Sequence, residues 1–65
     1  MKVIIRYPQH HEVIIRGARR VADLLRELRL NPETVITLQG PTLLTHDVLL
    51  QDDAVVEVRS AISGG

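Results

Sequence analysis

Few residues in this chain could do chemistry, and the most suggestive stand at its end. Gly64 and Gly65 close the sequence. A free carboxylate on two glycines is a chemical handle, because glycine lets another backbone or a ligand approach closely. Such an ending can enter a slot too narrow for a side chain. Ser60, Ala61, Ile62 and Ser63 lead into it without a charged group. The other candidates are weaker. His10, His11 and His46 are the three imidazoles, but adjacent histidines in a turn point apart, and no third ligand stands at a zinc spacing. They are expected to be exposed loop residues, and no metal site is expected. Asp47, Asp52 and Asp53 lack the glycine and closing glutamate of a calcium loop and read as turn formers. Arg16, Arg19 and Arg20 form a basic cluster that reads as a solvated rim ahead of the alternative, a contact for phosphates or for an acidic patch on a partner. With no cysteine in the chain, disulfide, zinc-thiolate and thiol-nucleophile chemistry are excluded.

Composition narrows the setting. A chain of 65 residues is one domain at most, and domains of about this size bury a small share of their surface. Apolar residues make up 45% of the chain, almost all aliphatic, with Tyr7 the lone aromatic. That excludes a disordered chain. Formal net charge is zero, which argues against a strong, direct nucleic-acid binder needing a basic face. Val3-Ile4-Ile5 is too short for a signal peptide and ends at Arg6. No stretch approaches a membrane span. The reading is a soluble, cytoplasmic protein.

The elements that must position the handle follow from periodicity. Residues 2–7 are rich in β-branched side chains and bounded by Pro8, which predicts a strand with Val3 and Ile5 on one face and Lys2, Ile4 and Arg6 on the other. Residues 12–16 predict its hairpin partner, with Val13 and Ile15 inward. Residues 20–30 predict the helix, since Val21, Leu24, Leu25 and Leu28 fall on one stripe. No capping side chain precedes it, Asp23 is expected to pair one turn back, and Asn31-Pro32 is expected to stop it. Residues 34–39 predict a strand with Ile36 and Leu38 inward. A short edge strand is expected over 42–45, a loop with a helical turn at Val48-Leu49-Leu50, and a last strand over 54–60 with Val56 and Val58 inward. One helix then covers one face of a small mixed sheet, an α+β fold. The first and last strands lie side by side and parallel, joined through the helical crossover. The expected organisation is a folded unit over 1–60 and a flexible C-terminal tail over 61–65.

Element order, length, central helix and the closing Gly64-Gly65 resemble the ubiquitin-like β-grasp sulfur carriers, the small proteins serving thiamin, molybdopterin and tRNA 2-thiouridine synthesis. The likeness spans the chain and is carried by Val21-Ala22-Asp23-Leu24-Leu25-Arg26-Glu27-Leu28, by Leu30-Asn31-Pro32-Glu33-Thr34-Val35 and by Ser60-Ala61-Ile62-Ser63-Gly64-Gly65. The last two stretches look most like the tRNA-2-thiouridine carriers of heat-loving bacteria. Two positions depart from the family pattern: Arg29 and Asp52 stand where it often has glycine, and a positive backbone angle at either carries a steric cost.

The resemblance implies a protein cosubstrate, not an enzyme, that binds no cofactor. An adenylating enzyme of the ubiquitin-activating type would use ATP to make an acyl-adenylate on Gly65. A sulfurtransferase or cysteine desulfurase would supply sulfur for a terminal thiocarboxylate, and a tRNA-thiolating enzyme would accept it. Thiamin or molybdopterin synthesis is the alternative destination. Ile62, Ser63 and Gly64 would thread into the activating enzyme. Ordering each backbone residue costs about 1–2 kcal/mol, so a short tail limits the penalty. Ile4, Ile14 and Val55 are expected on the outer sheet face as a docking patch, with Arg6, Arg16, Thr37, Glu57 and Arg59 around it. The same Gly65 handle would also serve a protein modifier joined to lysines of target proteins, with Lys2 the one lysine acceptor in this chain. A β-grasp binding module with inert terminal glycines is the third reading.

Overall fold

Strand-forming residues near the two ends of the chain meet at the centre of the sheet. A computed structural model describes residues 1–6 and 9–61. In chain order its elements are β1 (Lys2–Ile5), β2 (His11–Ile14), β3 (Arg19–Arg20), α1 (Val21–Glu27), β4 (Val35–Gln39), β5 (Thr42–Leu44), β6 (Leu49–Leu50) and β7 (Val55–Ser60). The main sheet is five-stranded, ordered β2-β1-β7-β4-β5. β1 and β7 run parallel, Val3 opposite Val56 and Ile5 opposite Val58, while the β1–β2, β4–β7 and β4–β5 pairs are antiparallel. β-branched side chains fill β1 and β7 because their stiff χ1 suits a pleated surface. This is the mixed sheet and crossover helix of a β-grasp.

The core is the inner face of that sheet against α1. Val3, Ile5, Val56 and Val58 from the central strands join Val21, Leu24 and Leu25 from the helix in one buried cluster, with Leu28 half-buried against it. Leu50 and Ala54 fill it from the segment before β7.

Four expectations change. β4 is turned over: Val35 and Thr37 are buried, and Ile36 and Leu38 lie on the outer side. Pairing with β7 sets this parity, because Thr37 stands opposite buried Val58 and Ile36 opposite Arg59. Thr37 therefore leaves the outer rim for the core. Threonine has the shape of valine with one hydroxyl to satisfy, and among the described residues no buried side-chain nitrogen or oxygen lacks a hydrogen bond. Second, the expected helical turn at 48–50 is β6, paired antiparallel with β3 as Arg19 opposite Leu50 and Arg20 opposite Leu49. Pairing lets Leu50 reach the core while its backbone stays bonded.

Third, α1 ends earlier than its apolar stripe. Arg29 takes the left-handed conformation at φ 58°. The Leu30 N–H donates to the Leu25 carbonyl at 2.9 Å and the Arg29 N–H to Arg26 at 3.1 Å, a Schellman ending. Asn31 does not cap the helix; its side-chain oxygen accepts from the Glu33 N–H at 2.9 Å. Among the described non-glycine residues only Arg29 has positive φ, so Asp52 carries no such strain. Fourth, Asp23 pairs forward with Arg26 at 3.4 Å, and Arg19 reaches Glu27 at 2.6 Å. The helix start has no side-chain cap; the loop carbonyls of Val48 and His46 accept from Val21 and Ala22 at 3.0 Å each. Free N–H groups at a helix start need such acceptors.

Candidate functional site

β7 connects the packed core to the chain end. It lies between β1 and β4, and its last residue Ser60 stands opposite Val35. One residue further the Ala61 N–H donates to the Thr34 carbonyl at 2.9 Å, so backbone bonding reaches Ala61. Ile62, Ser63, Gly64 and Gly65, the residues the sequence singles out for reaction and threading, lie outside the described residues.

Among the described residues no helix covers the outer face, which is read across in rows. Lys2 stands opposite Ile14 on one side and Val55 on the other, while Ile4 stands between Glu12 and Glu57. Ile14 is 71% exposed, Val55 54%, and Ile4 half-buried. Strand alternation thus places Ile4, Ile14 and Val55 together on this side with Arg59. Lys2, the lysine acceptor of the modifier reading, is exposed and paired with Glu12 at 3.3 Å.

Sequence reasoning missed the other half of the face. With β4 turned over, Ile36 and Leu38 extend it, and Leu43 of β5, 62% exposed, stands opposite Leu38. The signal was present only in the pairing partner: β7 alternates cleanly, and an antiparallel neighbour must follow it. Between the two apolar halves runs a charged ridge. Arg6 and Arg59 both donate through Nε to the same oxygen, Oε2 of Glu57, the Arg59 bond at 2.7 Å. The Arg59 bond, then the Arg6 bond, holds the Glu57 carboxyl below the usual glutamate range.

The remaining candidates are scattered. His10, His11 and His46 are exposed, and the His11 Nδ1 lies 3.2 Å from the Gln9 carbonyl. Among the described residues no three His, Asp or Glu side chains gather as a metal site. Asp47 accepts from the Thr45 hydroxyl at 2.7 Å, which lowers its pKa. Asp52 accepts from the Gly17 N–H, and Gly17 turns the chain at φ 93°. Arg19 binds Glu27 and the Arg16 and Ala18 carbonyls, and Arg20 binds the Asp47 carbonyl. That cluster is largely committed to holding the loops around the helix start. No helix among the described residues is long and apolar enough to cross a membrane.

A sheet of this order, gripping one helix and sending its central strand toward the chain end, defines a ubiquitin-like β-grasp protein. No family model matches the sequence. The chain is 45% identical over 65 residues, the full length of both proteins, to the sulfur carrier protein TtuB of Thermus thermophilus. It belongs to that family of sulfur carrier proteins.

Proposed function

We propose that this chain is a cytoplasmic sulfur carrier for tRNA 2-thiouridine synthesis and reacts through the Gly65 carboxylate. The observation that supports this reading is its full-length likeness to a named sulfur carrier. A carboxylate resists nucleophiles because of its charge. An activating enzyme of the ubiquitin-activating type transfers AMP to it from ATP and releases pyrophosphate. Sulfide then attacks the acyl carbon and AMP leaves, giving a terminal thiocarboxylate. The carrier acts as cosubstrate and supplies no acid, base or metal. Its folded part docks through the Ile4, Ile14, Val55 and Arg59 side of the outer sheet face, while Ile62, Ser63 and Gly64 follow Gly65 into the enzyme. A sulfurtransferase or cysteine desulfurase provides the sulfur as an enzyme persulfide. A thiol releases sulfide from it and is itself oxidised to a disulfide, and a tRNA-thiolating enzyme takes the thiocarboxylate sulfur.

The test incubates the purified, untagged chain with ATP, the candidate activating enzyme and sulfide. Intact-mass analysis is expected to show one oxygen replaced by sulfur. Pyrophosphate exchange that persists after deletion of Gly64 and Gly65 rules the reading out. Gly65→Ala is expected to melt like the parent and to be activated poorly, since a methyl group obstructs a slot shaped for glycine. Protein modification shares the adenylate and differs in the nucleophile. A product carrying the mass of a lysine-linked partner, with no thiocarboxylate, selects it instead.

A further inference from the structure

The ridge on the outer face is built in an unusual way. Two guanidiniums share one carboxylate oxygen: Arg6 comes from the end of β1, and Arg59 lies two residues along β7 from Glu57. Both use only Nε for this, and among the described residues the outer Nη nitrogens of both make no hydrogen bond. One carboxylate thus gathers two cations, leaving a local excess of positive charge and two forks of N–H donors side by side. Arginine forks match carboxylate geometry in a bidentate way. Glu57 is mostly covered, with 19% of its side chain exposed, whereas the arginines are about half exposed at 46% and 54%. The anion is held in and the cations face out.

The surroundings identify the partner's chemistry. Ile36 stands opposite Arg59, and Ile4 and Leu38 flank Glu57 on either side. A surface seated on these apolar neighbours excludes water from the ridge, and a charge pair strengthens as its surroundings lose polarity. Single-stranded nucleic acid would ask for successive aromatic platforms, and the chain has one Phe, Tyr or Trp in all, Tyr7. β1 and β7 run parallel, so Arg6 and Arg59 lie at the edge from which the chain leaves toward Gly65.

We propose that Arg6 and Arg59, gathered on Glu57, form a two-armed receptor for carboxylate side chains on an acidic, partly apolar surface of the activating enzyme. This rests on the functional reading above and adds the chemistry by which the folded part is recognised. Glu57 is a positioning residue: it fixes the spacing of the two arms and does not itself meet the partner's carboxylates.

The test measures the Kd between the full chain and the purified activating enzyme of the same host, without ATP, so that docking is separated from adenylation. The Arg6→Lys, Arg59→Lys double variant keeps the charge and loses both forks; its Kd is expected to rise about tenfold. The Arg6→Glu, Arg59→Glu variant should bind more weakly still. Melting temperatures of both are compared with the parent, since the side chains are exposed. Glu57→Gln separates geometry from charge: it raises the net positive charge, yet it is expected to weaken binding because the arms are released. A lysine variant that binds like the parent overturns the receptor, as does tighter binding by Glu57→Gln. So does a loss confined to tRNA binding with the enzyme Kd unchanged. A parent that supports pyrophosphate exchange while the lysine variant keeps its Kd defeats this inference alone. A parent that supports no exchange at all defeats the functional reading, and this inference with it.

Discussion

β7 carries two surfaces on one strand. Its inward residues Val56 and Val58 are fully buried between helix and sheet. Its outward residues Val55, Glu57 and Arg59 form part of a face that no helix among the described residues covers, with Val55 more than half exposed. Val56 and Val58 are aliphatic and wholly covered, and Ser60, on the same parity, is half-buried at the strand's end opposite Val35. The outward set mixes an aliphatic side chain, an acid and a base within a span of five residues. Alternation lets a six-residue strand hold the fold together on one side and offer recognition chemistry on the other. The two sides should therefore answer mutation in opposite ways.

The largest effect belongs to the packed side. Leu24→Ala empties a fully buried site and is expected to cost about 2–5 kcal/mol in urea unfolding. In a domain this small that is a large share of total stability. A loss well under 1 kcal/mol would mean that α1 does not grip the sheet. Strain on the same side can be relieved. Arg29→Gly replaces a left-handed arginine at the helix end and is expected to add about 0.5–1 kcal/mol, read as a higher midpoint with an unchanged slope. On the open side, Ile14→Asp is expected to change stability by no more than about 0.5 kcal/mol, yet to weaken activation. Unfolding would place Ile14 on the wrong face.

The smallest effect is electrostatic. The folded-state pKa of Glu57 lies below its unfolded value. Its pairing with Arg59 and Arg6 therefore contributes stability above the unfolded value, and loses it as pH falls through the folded one. The melting temperature of the parent should hold from neutrality to about pH 5 and decline below it. Glu57→Gln should decline less steeply, with Asp47, lowered by the Thr45 hydroxyl, supplying part of what remains. Identical profiles would show that the ridge is no tighter in the fold than in the unfolded chain.

The same contrast explains what could be read from the sequence. The β1–β7 core was legible because Val3, Ile5, Val56 and Val58 alternate with polar or differently placed neighbours, and the helix stripe has a single period. β4 was not, because Val35, Ile36 and Leu38 are apolar on both parities and only the register with β7 decides between them. β3 and β6 escaped because two-residue strands of Arg-Arg and Leu-Leu contain no alternation to detect. Of the site, the outer-face positions Ile4, Ile14, Val55 and Arg59 followed from strand parity. The shared oxygen of Glu57 did not, since Arg6 lies 51 residues away in sequence and meets it only across the sheet. Arg29 shows the reverse case: a backbone conformation suited to glycine is imposed on an arginine by the hydrogen bonds that close the helix.

The ladders on both flanks of β7 also determine how the molecule bears load. Hydrogen bonds to β1 and β4 lie across the strand axis. A partner that tugs on the C-terminal segment pulls along that axis. It must slide all those bonds at once rather than peel them one at a time. Force applied along β7 from its C-terminal side is thus met in shear by the central strand of the sheet, the arrangement that best resists unravelling.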